Sequence, residues 1–486
     1  MKKTTVAGLV AGVLALACAG GGFLLANMAE EAIRARVETL PGYGEAHCDD
    51  VRVSLLRRSV RIANLRLRNP EGEILCRDMI LRPRPAAALA AVPFLRAAML
   101  PSSGTTIVGD AELRDITARM DARGKPPVEV SLASLAVSGA YLEAALFRDL
   151  LDGRPLSAQD FSGKAGSARI DGGPMRLRQA SPSFTGTLER FRLRDSVLNA
   201  SAALFEIERF SFASTEERLS GSLLRLTDIA VPPAFADRPL FSAHSAEALW
   251  RTLDGAAPLF RSMTLENASI ITTPGETVES RRVRVLWHGN APLHTVLRLE
   301  RLCLPASLPR LNGLPAVPGL DQLLVDLDWE HLGKGESRRE DVTLDVTDMG
   351  RMDAVLEHTL DLRRISGSML TLLGAQLHRA SLRYEDRGGL ARLLALSLRH
   401  RDELSRLDML AEQLPALLPG GANRPLVEAL RTTLLTPGTL ELRLRDGMAL
   451  TALDMLDVRD LGRKIEASAT PGKENVKEQL LRLLPQ

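Results

Sequence analysis

The stretch "LLVDLDWEHL", residues 323–332, carries the densest set of groups that could do chemistry. Successive side chains of a strand point to opposite faces, so Asp326, Asp328 and Glu330 share one face, and Leu327 with Trp329 the other. Three carboxylates so aligned could bind a hard cation such as calcium. The same spacing also describes an ordinary solvated strand face. His331 follows directly, and His47-Cys48-Asp49-Asp50 is a second string of metal-like composition. No CxxC and no Cys/His ligand spacing occurs, which argues against zinc. The chain also lacks GxSxG, HExxH, GxxxxGK[ST] and GxGxxG, and its eight histidines are scattered singly. The sequence thus points to no catalytic residues, no metal site and no cofactor, and to a protein that is not an enzyme.

The elements that would position such groups are mostly strands. In "VRVSLLRRSVRIANLRLRN" from Val51, aliphatic residues alternate with arginine or serine, the period of a strand with one apolar and one polar face. Strand alternation also marks "EDVTLDVTDMG" and "TLELRL" (439–444). Helical periods are predicted over Met28–Leu40, Ala86–Leu100 and, interrupted at Pro415 and Pro419, over 388–436. The tail carries an amphipathic helix with Val476, Leu480, Leu483 and Leu484 on one side.

A short unit recurs: Val108-Gly-Asp-Ala-Glu-Leu113, Val137-Ser-Gly-Ala-Tyr-Leu142, Leu193-Arg-Asp-Ser-Val-Leu198 and Leu265-Glu-Asn-Ala-Ser-Ile270, with a weaker copy at Leu377. The first four starts are 29, 56 and 72 residues apart, which excludes a strict solenoid. Gly, Asp or Asn at the third position tolerates the kink of a bulge or bend, and the small residue after it lets backbones approach. The unit therefore reads as strand, bend, strand. Its terminal apolar residues, Val108, Leu113, Val137, Leu142, Leu193, Leu198, Leu265 and Ile270, are predicted to face one interior. The sequons at Asn199 and Asn267 lie within these units and read as bends.

Charge and ends set the compartment. With 62 basic and 60 acidic residues the formal charge is +2, which excludes a generic nucleic-acid binder, and 4% aromatics excludes broad stacking platforms. Residues 4–26 carry no charge over 23 positions, enough for a helix to cross a bilayer core of ~30 Å. Three readings stay open: an uncleaved anchor, a signal cleaved after Ala15-Leu16-Ala17, or a lipidated Cys18. The apolar run continuing through Phe23-Leu24-Leu25 favours the anchor. All three export the bulk of the chain. In an oxidising compartment Cys48 and Cys76 could pair, leaving Cys303, or all three could be small buried residues. Arg57, Arg58, Arg61, Arg66 and Arg68 lie close after the anchor and could meet anionic lipid headgroups, or form a solvated sheet edge.

The anchor followed by "VRVSLLRRSVRIANLRLRNPEG" and "ILCRDMILRPRP", with later units such as "LENASIITTPG", resembles the start of AsmA-like proteins of the bacterial envelope over residues 1–350. The resemblance implies a single-pass inner-membrane anchor and a periplasmic body. That body is a long curled antiparallel sheet with an apolar groove, associated with lipid movement and outer-membrane assembly. Partners would be membrane lipids and other envelope proteins, with no nucleic acid. The helical segment near the C-terminus departs from the simplest form of that pattern. The expected fold is mainly β with added helices, in the order 1–29 membrane helix, 30–302 β-rich body, 303–320 Pro-rich loop, 321–387 second β portion, 388–436 helical segment and 437–486 strand and amphipathic tail. The expected role is non-enzymatic binding or guiding of lipids. The alternative is a structural scaffold with a dry β-sandwich core.

Overall fold

The computed structural model of the chain describes residues 26–484 apart from 39–44, 55–56, 70–71, 91–95, 121–126, 155–157, 181–182, 231–259, 273–275, 289–292, 307–316, 335–336, 360–375, 399–400, 452–453, 455–457 and a few single positions. The apolar run at 4–25, Cys18 and the weighing of anchor against cleavage all lie outside the described residues. No described helix is long and apolar enough to cross a membrane.

The chain divides into two compact units, the first comprising residues 1–253 with 258–263, the second 254–257 with 264–486. The Pro-rich segment 303–320 falls inside the second unit. All pairings whose register is described are antiparallel, and most join sequence neighbours, as expected where short hairpins connect strands.

The first unit holds β1 (Glu45–His47), β2 (Asp50–Ser54), β3 (Ser59–Asn69), β4 (Gly72–Pro83), β5 (Thr105–Met120), β6 (Val128–Glu143), β7 (Ala165–Gly172), β8 (Met175–Gln179), β9 (Phe184–Val197), β10 (Ser201–Ser214) and β11 (Glu217–Ala230). From β3 each strand pairs with the next up to β6. There β7 and β8 together act as one interrupted strand between β6 and β9, broken at Gly173-Pro174, where proline has no N–H for the ladder. Helix α1 (Ala26–Glu38) and helix α2 (Ala144–Leu151) cover this sheet. Ile33 and Val37 of α1 and Leu146 and Phe147 of α2 join Ile62, Leu65, Leu67, Met79, Leu81 and Leu113 in one packed core. The predicted helix at 86–100 appears as two short pieces, Pro85–Ala90 and Arg96–Met99.

After β12 (Ser262–Thr272), the second unit continues with β13 (Thr277–His288), β14 (Leu293–Pro305), β15 (Gln322–Lys334), β16 (Ser337–Val346), β17 (Gly350–His358), β18 (Gln376–Asp386), β19 (Thr439–Leu444), β20 (Leu450–Thr451) and β21 (Ile465–Thr470). Strands β13 to β19 pair consecutively, and β19 pairs β21. Helices α3 (Gly389–Ser397), α4 (Ser405–Leu417), α5 (Arg424–Leu435) and α6 (Val476–Leu483) complete it. Pro415 lies inside α4 instead of ending it, because so near the helix end only the N–H bond to the Ala411 carbonyl is forgone. Helix α6 buries Val476, Leu480 and Leu484, with Leu483 partly buried, against α3 and Leu407.

The recurrent bends are real and more numerous than the four units suggest. Asn64, Asp115, Gly139, Asp195, Arg209, Asp228, Asn267 and Arg301 each sit within a strand at φ between +44° and +62°. The pairing registers skip Asn64, Asp115, Gly139, Asp195, Arg209, Asp228 and Arg301: Ala63 faces Asp78 and Leu65 faces Cys76, with Asn64 passed over. One left-handed residue breaks the two-residue alternation, so the next inward side chain comes three positions on. On β3 the buried residues are Val60, Ile62, Leu65 and Leu67, and on β6 they are Leu135, Val137, Ala140 and Leu142. The third positions Gly139, Asp195 and Asn267 are thus left-handed as expected. Asp110 is not. The register slips around Gly109 instead, and the Asp110 carboxylate accepts the Gly139 N–H at 2.7 Å.

Candidate functional site: an apolar sheet face with a polar edge

Cross-strand registers define one side of β13–β18 residue by residue. One row runs Val285, Leu297, Trp329, Val342, Ala354 and Leu382, and the next runs Val283, Leu299, Leu327, Leu344, Met352 and Tyr384. Every member of both rows is apolar or aromatic. Yet all are half-buried except Ala354, which sits at the edge of burial. At its far end this side is covered: Leu442 and Leu444 of β19 and Ile465 of β21 pack with Leu426 of α5.

The opposite side is a charge ladder. Arg298 meets Asp328 at 3.1 Å, Arg339 meets Asp341 at 3.0 Å and Arg351 meets Asp353 at 3.0 Å. The hydrogen bond from Arg351, with a second from Thr343, holds the Asp353 carboxyl below the usual carboxylate range. A shallow hollow lined by Arg298, Asp328, Glu330, Asp341, Thr343 and Asp353 lies on this side.

This ladder also disposes of the carboxylate cluster that the spacing of residues 326–330 suggested. The three acids do share a face, but each is engaged. Asp326 accepts the Arg301 backbone N–H at 2.7 Å, Asp328 takes Arg298, and Glu330 lies 2.6 Å from His294 Nε2. His331 is in phase with Trp329, on the other side of the sheet. No grouping that could hold a metal ion occurs among the described residues. His47 lies 3.6 Å from Asp49, with Cys48 buried beside them. Cys48 and Cys76 are both free thiols in the first core, so they do not pair. Burial pushes the Cys76 thiol up to about 11. Cys303 is free and half-buried, bonded to Gln322.

The interior-facing candidates separate into two kinds. Val108, Leu113, Val137 and Leu142 are at most 2% exposed, inside the packed core of the first unit. They border filled space, not an open groove, because α1 and α2 lie over them. Leu193 and Leu198 are half-buried, Leu198 against that same core. Leu265 is half-buried and Ile270 exposed, on either side of the bend at Asn267.

Of the proposed headgroup arginines, Arg61 pairs Asp78, Arg66 pairs Glu73 and Arg68 lies 3.6 Å from Glu45. They sit on the polar side of β3 with their charges matched across strands. Arg57 and Arg58 are exposed in the β2–β3 turn, Arg58 at φ +48°.

One group of residues went unpredicted. On the apolar side of β15–β17, Glu340 Oε2 accepts from Trp329 Nε1 at 2.7 Å, and its Oε1 lies 2.5 Å from His331 Nδ1 and 3.7 Å from His358 Nε2. Glu340 is 7% exposed. The signal was in the alternation: Glu340 is in phase with Val342, Leu344 and Val346, so an acid stands where the strand's apolar face requires a hydrophobe. At the other edge the Tyr384 hydroxyl donates to Asp386 at 2.7 Å, and burial with that bond raises the Tyr384 pKa. Asp386 also caps α3 by accepting the Gly388 and Leu390 N–H groups. No family model matches the chain, and no curated protein is significantly similar to it.

Proposed function

We propose that this is a non-enzymatic, AsmA-like protein of the bacterial envelope, held at the inner membrane by its N-terminal apolar run, whose sheet carries or guides the acyl chains of lipids or supports outer-membrane assembly. The observation that carries the reading is the pair of apolar rows on β13–β18. Six strands at ~4.8 Å spacing make a strip about 24 Å long, longer than the ~15 Å of one leaflet's hydrocarbon. Contiguous apolar surface of this kind in water marks an interaction site. An acyl chain laid on it gains about 0.8 kcal/mol per buried methylene.

The scaffold alternative draws on a different observation, the filled core beneath α1 and α2, where no ligand has room. The two readings divide cleanly at adjacent residues. Leu344 faces the apolar strip and Thr343 the charge ladder. A photoreactive benzoylphenylalanine at Leu344 in the full chain, irradiated in cells, is expected to give lipid adducts, and the same group at Thr343 none. Absence of adducts at Leu344 overturns the carrier reading in favour of the scaffold. For the compartment, a reporter active only outside the cytoplasm, fused after Gln486, is expected to work in the membrane fraction.

A further inference from the structure

Strands β15–β18 place two carboxylates on the apolar side. Asp386 is consumed in capping α3, whereas Glu340 stands at the opposite edge of the strip with its side chain 9% exposed. We propose that Glu340, framed by Trp329, His331 and His358, binds the ammonium-bearing polar head of an amphipathic ligand whose chain lies along the rows beside it. This rests on the carrier reading and names the class of lipid that the strip would prefer.

Charge sets the preference. A carboxylate can accept about four hydrogen bonds, and here Trp329 Nε1 and His331 Nδ1 supply two. Burying an ionised carboxylate costs several kcal/mol unless a cation answers it. The groups that face Glu340 are His331 from β15, His358 from β17 and, two residues back on β16, Arg338. Thr295 of β14 stands beyond His331. The Arg338 guanidinium donates to the Ser337 carbonyl at 3.0 Å, and among the described residues the two imidazoles and the indole answer Glu340. An imidazole offers charge only when protonated, whereas a primary ammonium offers a hydrogen bond and a charge together, and about two acceptor positions of the carboxylate are left. A head with phosphate and no amine would instead bring a second negative charge against a buried one.

Position supports the same conclusion. His331 is two residues beyond Trp329, so the site lies about 7 Å, one row, from the apolar rows. A head held there leaves its chain on the strip. Nothing comparable stands within the two rows themselves, where every side chain is apolar or aromatic.

The test uses the full chain with benzoylphenylalanine at Leu344, reconstituted into vesicles of equimolar phosphatidylethanolamine and phosphatidylglycerol. After irradiation, the head groups of the adducts are quantified by mass spectrometry. Ethanolamine-headed adducts are expected to exceed glycerol-headed ones about fivefold or more, and Glu340→Gln, which keeps the shape and the acceptor for Trp329, should bring the ratio close to one. A ratio near one, or an excess of phosphatidylglycerol, with Glu340 intact overturns the proposal and leaves the carrier reading standing. That arm needs no change at Glu340, so misfolding of the Gln variant does not protect the idea. A ratio unchanged by Glu340→Gln also overturns it. No adduct with either lipid removes the carrier reading itself.

Discussion

Leu113 on β5 and Leu344 on β16 occupy the same kind of place, an inward position on a long antiparallel strand with charged neighbours on the other side. Leu113 is 1% exposed, while Leu344 is half-buried. The strands are not the cause of the difference. The connections are. Between β4 and β5, and again between β6 and β7, the chain runs long enough to include helices, and α2 returns over the sheet. Strands β16 and β17 are joined by a three-residue turn at 347–349, and only two residues separate β15 from β16, too few to supply a covering element. A sheet with one apolar face is finished by what lies between its strands.

The largest effect should come from breaking that contrast directly. Leu113→Ala removes atoms from a filled core and is expected to cost about 2–5 kcal/mol, whereas Leu344→Ala, already half in solvent, should cost about 1 kcal/mol. Denaturant unfolding of the two variants checks this. Equal losses would mean that the strip of the second unit is as tightly filled as the first core.

The charged sides differ too. Glu206 of β10 is 3% exposed and clamped by Arg192 Nη1 and Arg225 Nε, each at 2.7 Å. Its counterpart Asp353 on β17 pairs Arg351 with both side chains more than a third exposed. Glu206→Gln removes two charge-assisted hydrogen bonds at a buried site, while Arg192 keeps Glu208 at 3.1 Å and Arg225 is half in solvent, so the variant is expected to lose about 2 kcal/mol. Asp353→Asn, in screened solvent, should lose about 0–1 kcal/mol. Thermal unfolding of both variants measures the difference.

Much of this architecture was legible in the alternation alone. Strand 439–444 and the tail helix match their predicted places because each has an unbroken period, and the interrupted helical segment at 388–436 forms three helices. The bends were legible only where Gly, Asp or Asn marked them. Arg209 and Arg301 adopt the same left-handed backbone with no residue type to announce it. The parity jump does announce it: Ile207 to Phe210, and Leu299 to Leu302, skip three instead of two. Burial was not legible. Val137 and Leu193 open two copies of one motif, yet one is sealed and the other half-buried, because the six residues of a copy do not say whether a helix will lie over it. The Glu340 site carries no local motif: three acids sharing a face are the louder signal at 326–330, while Glu340 is marked only by standing in phase with Val342 and Leu344.

The bends offer an effect of about 1 kcal/mol that should be alike in both units. A non-glycine residue other than Asn or Asp in the left-handed region costs roughly 1–2 kcal/mol. Arg301→Gly relieves that cost and is expected to stabilise the second unit by up to about 1 kcal/mol after glycine's own entropy is set against it. In the first unit, Gly139→Ala introduces the same strain at φ +62° and sets a Cβ 2.9 Å from that of Ala168, so it should destabilise. Opposite signs in thermal unfolding would confirm one device at work in both units. A loss on Arg301→Gly would show that its side chain, not its backbone, matters.

The smallest effect concerns the closed end of the second unit, where the apolar strip is covered as the first core is. Beside the Leu450, Leu461 and Ile465 contacts, Asp454 accepts from Lys464 Nζ at 2.6 Å, from the Thr451 N–H at 2.7 Å and from the Thr451 hydroxyl at 2.8 Å. The Lys464 bond, with those from Thr451, lowers its pKa to about 2. A free aspartate titrates near 3.9. The folded form therefore holds its carboxylate more tightly than the unfolded chain does, and the stability this contributes is complete above about pH 4 and fades as pH falls toward 2. Asp454→Asn should lower the melting temperature modestly at pH 6, and the gap to the unaltered protein should narrow as the pH is taken down to 3. Salt should shrink it as well, since both side chains keep some solvent contact. A gap that stays constant with pH would mean that Asp454 acts through shape, as the turn acceptor of Thr451, and that the closed end is held by the Leu426 contacts alone.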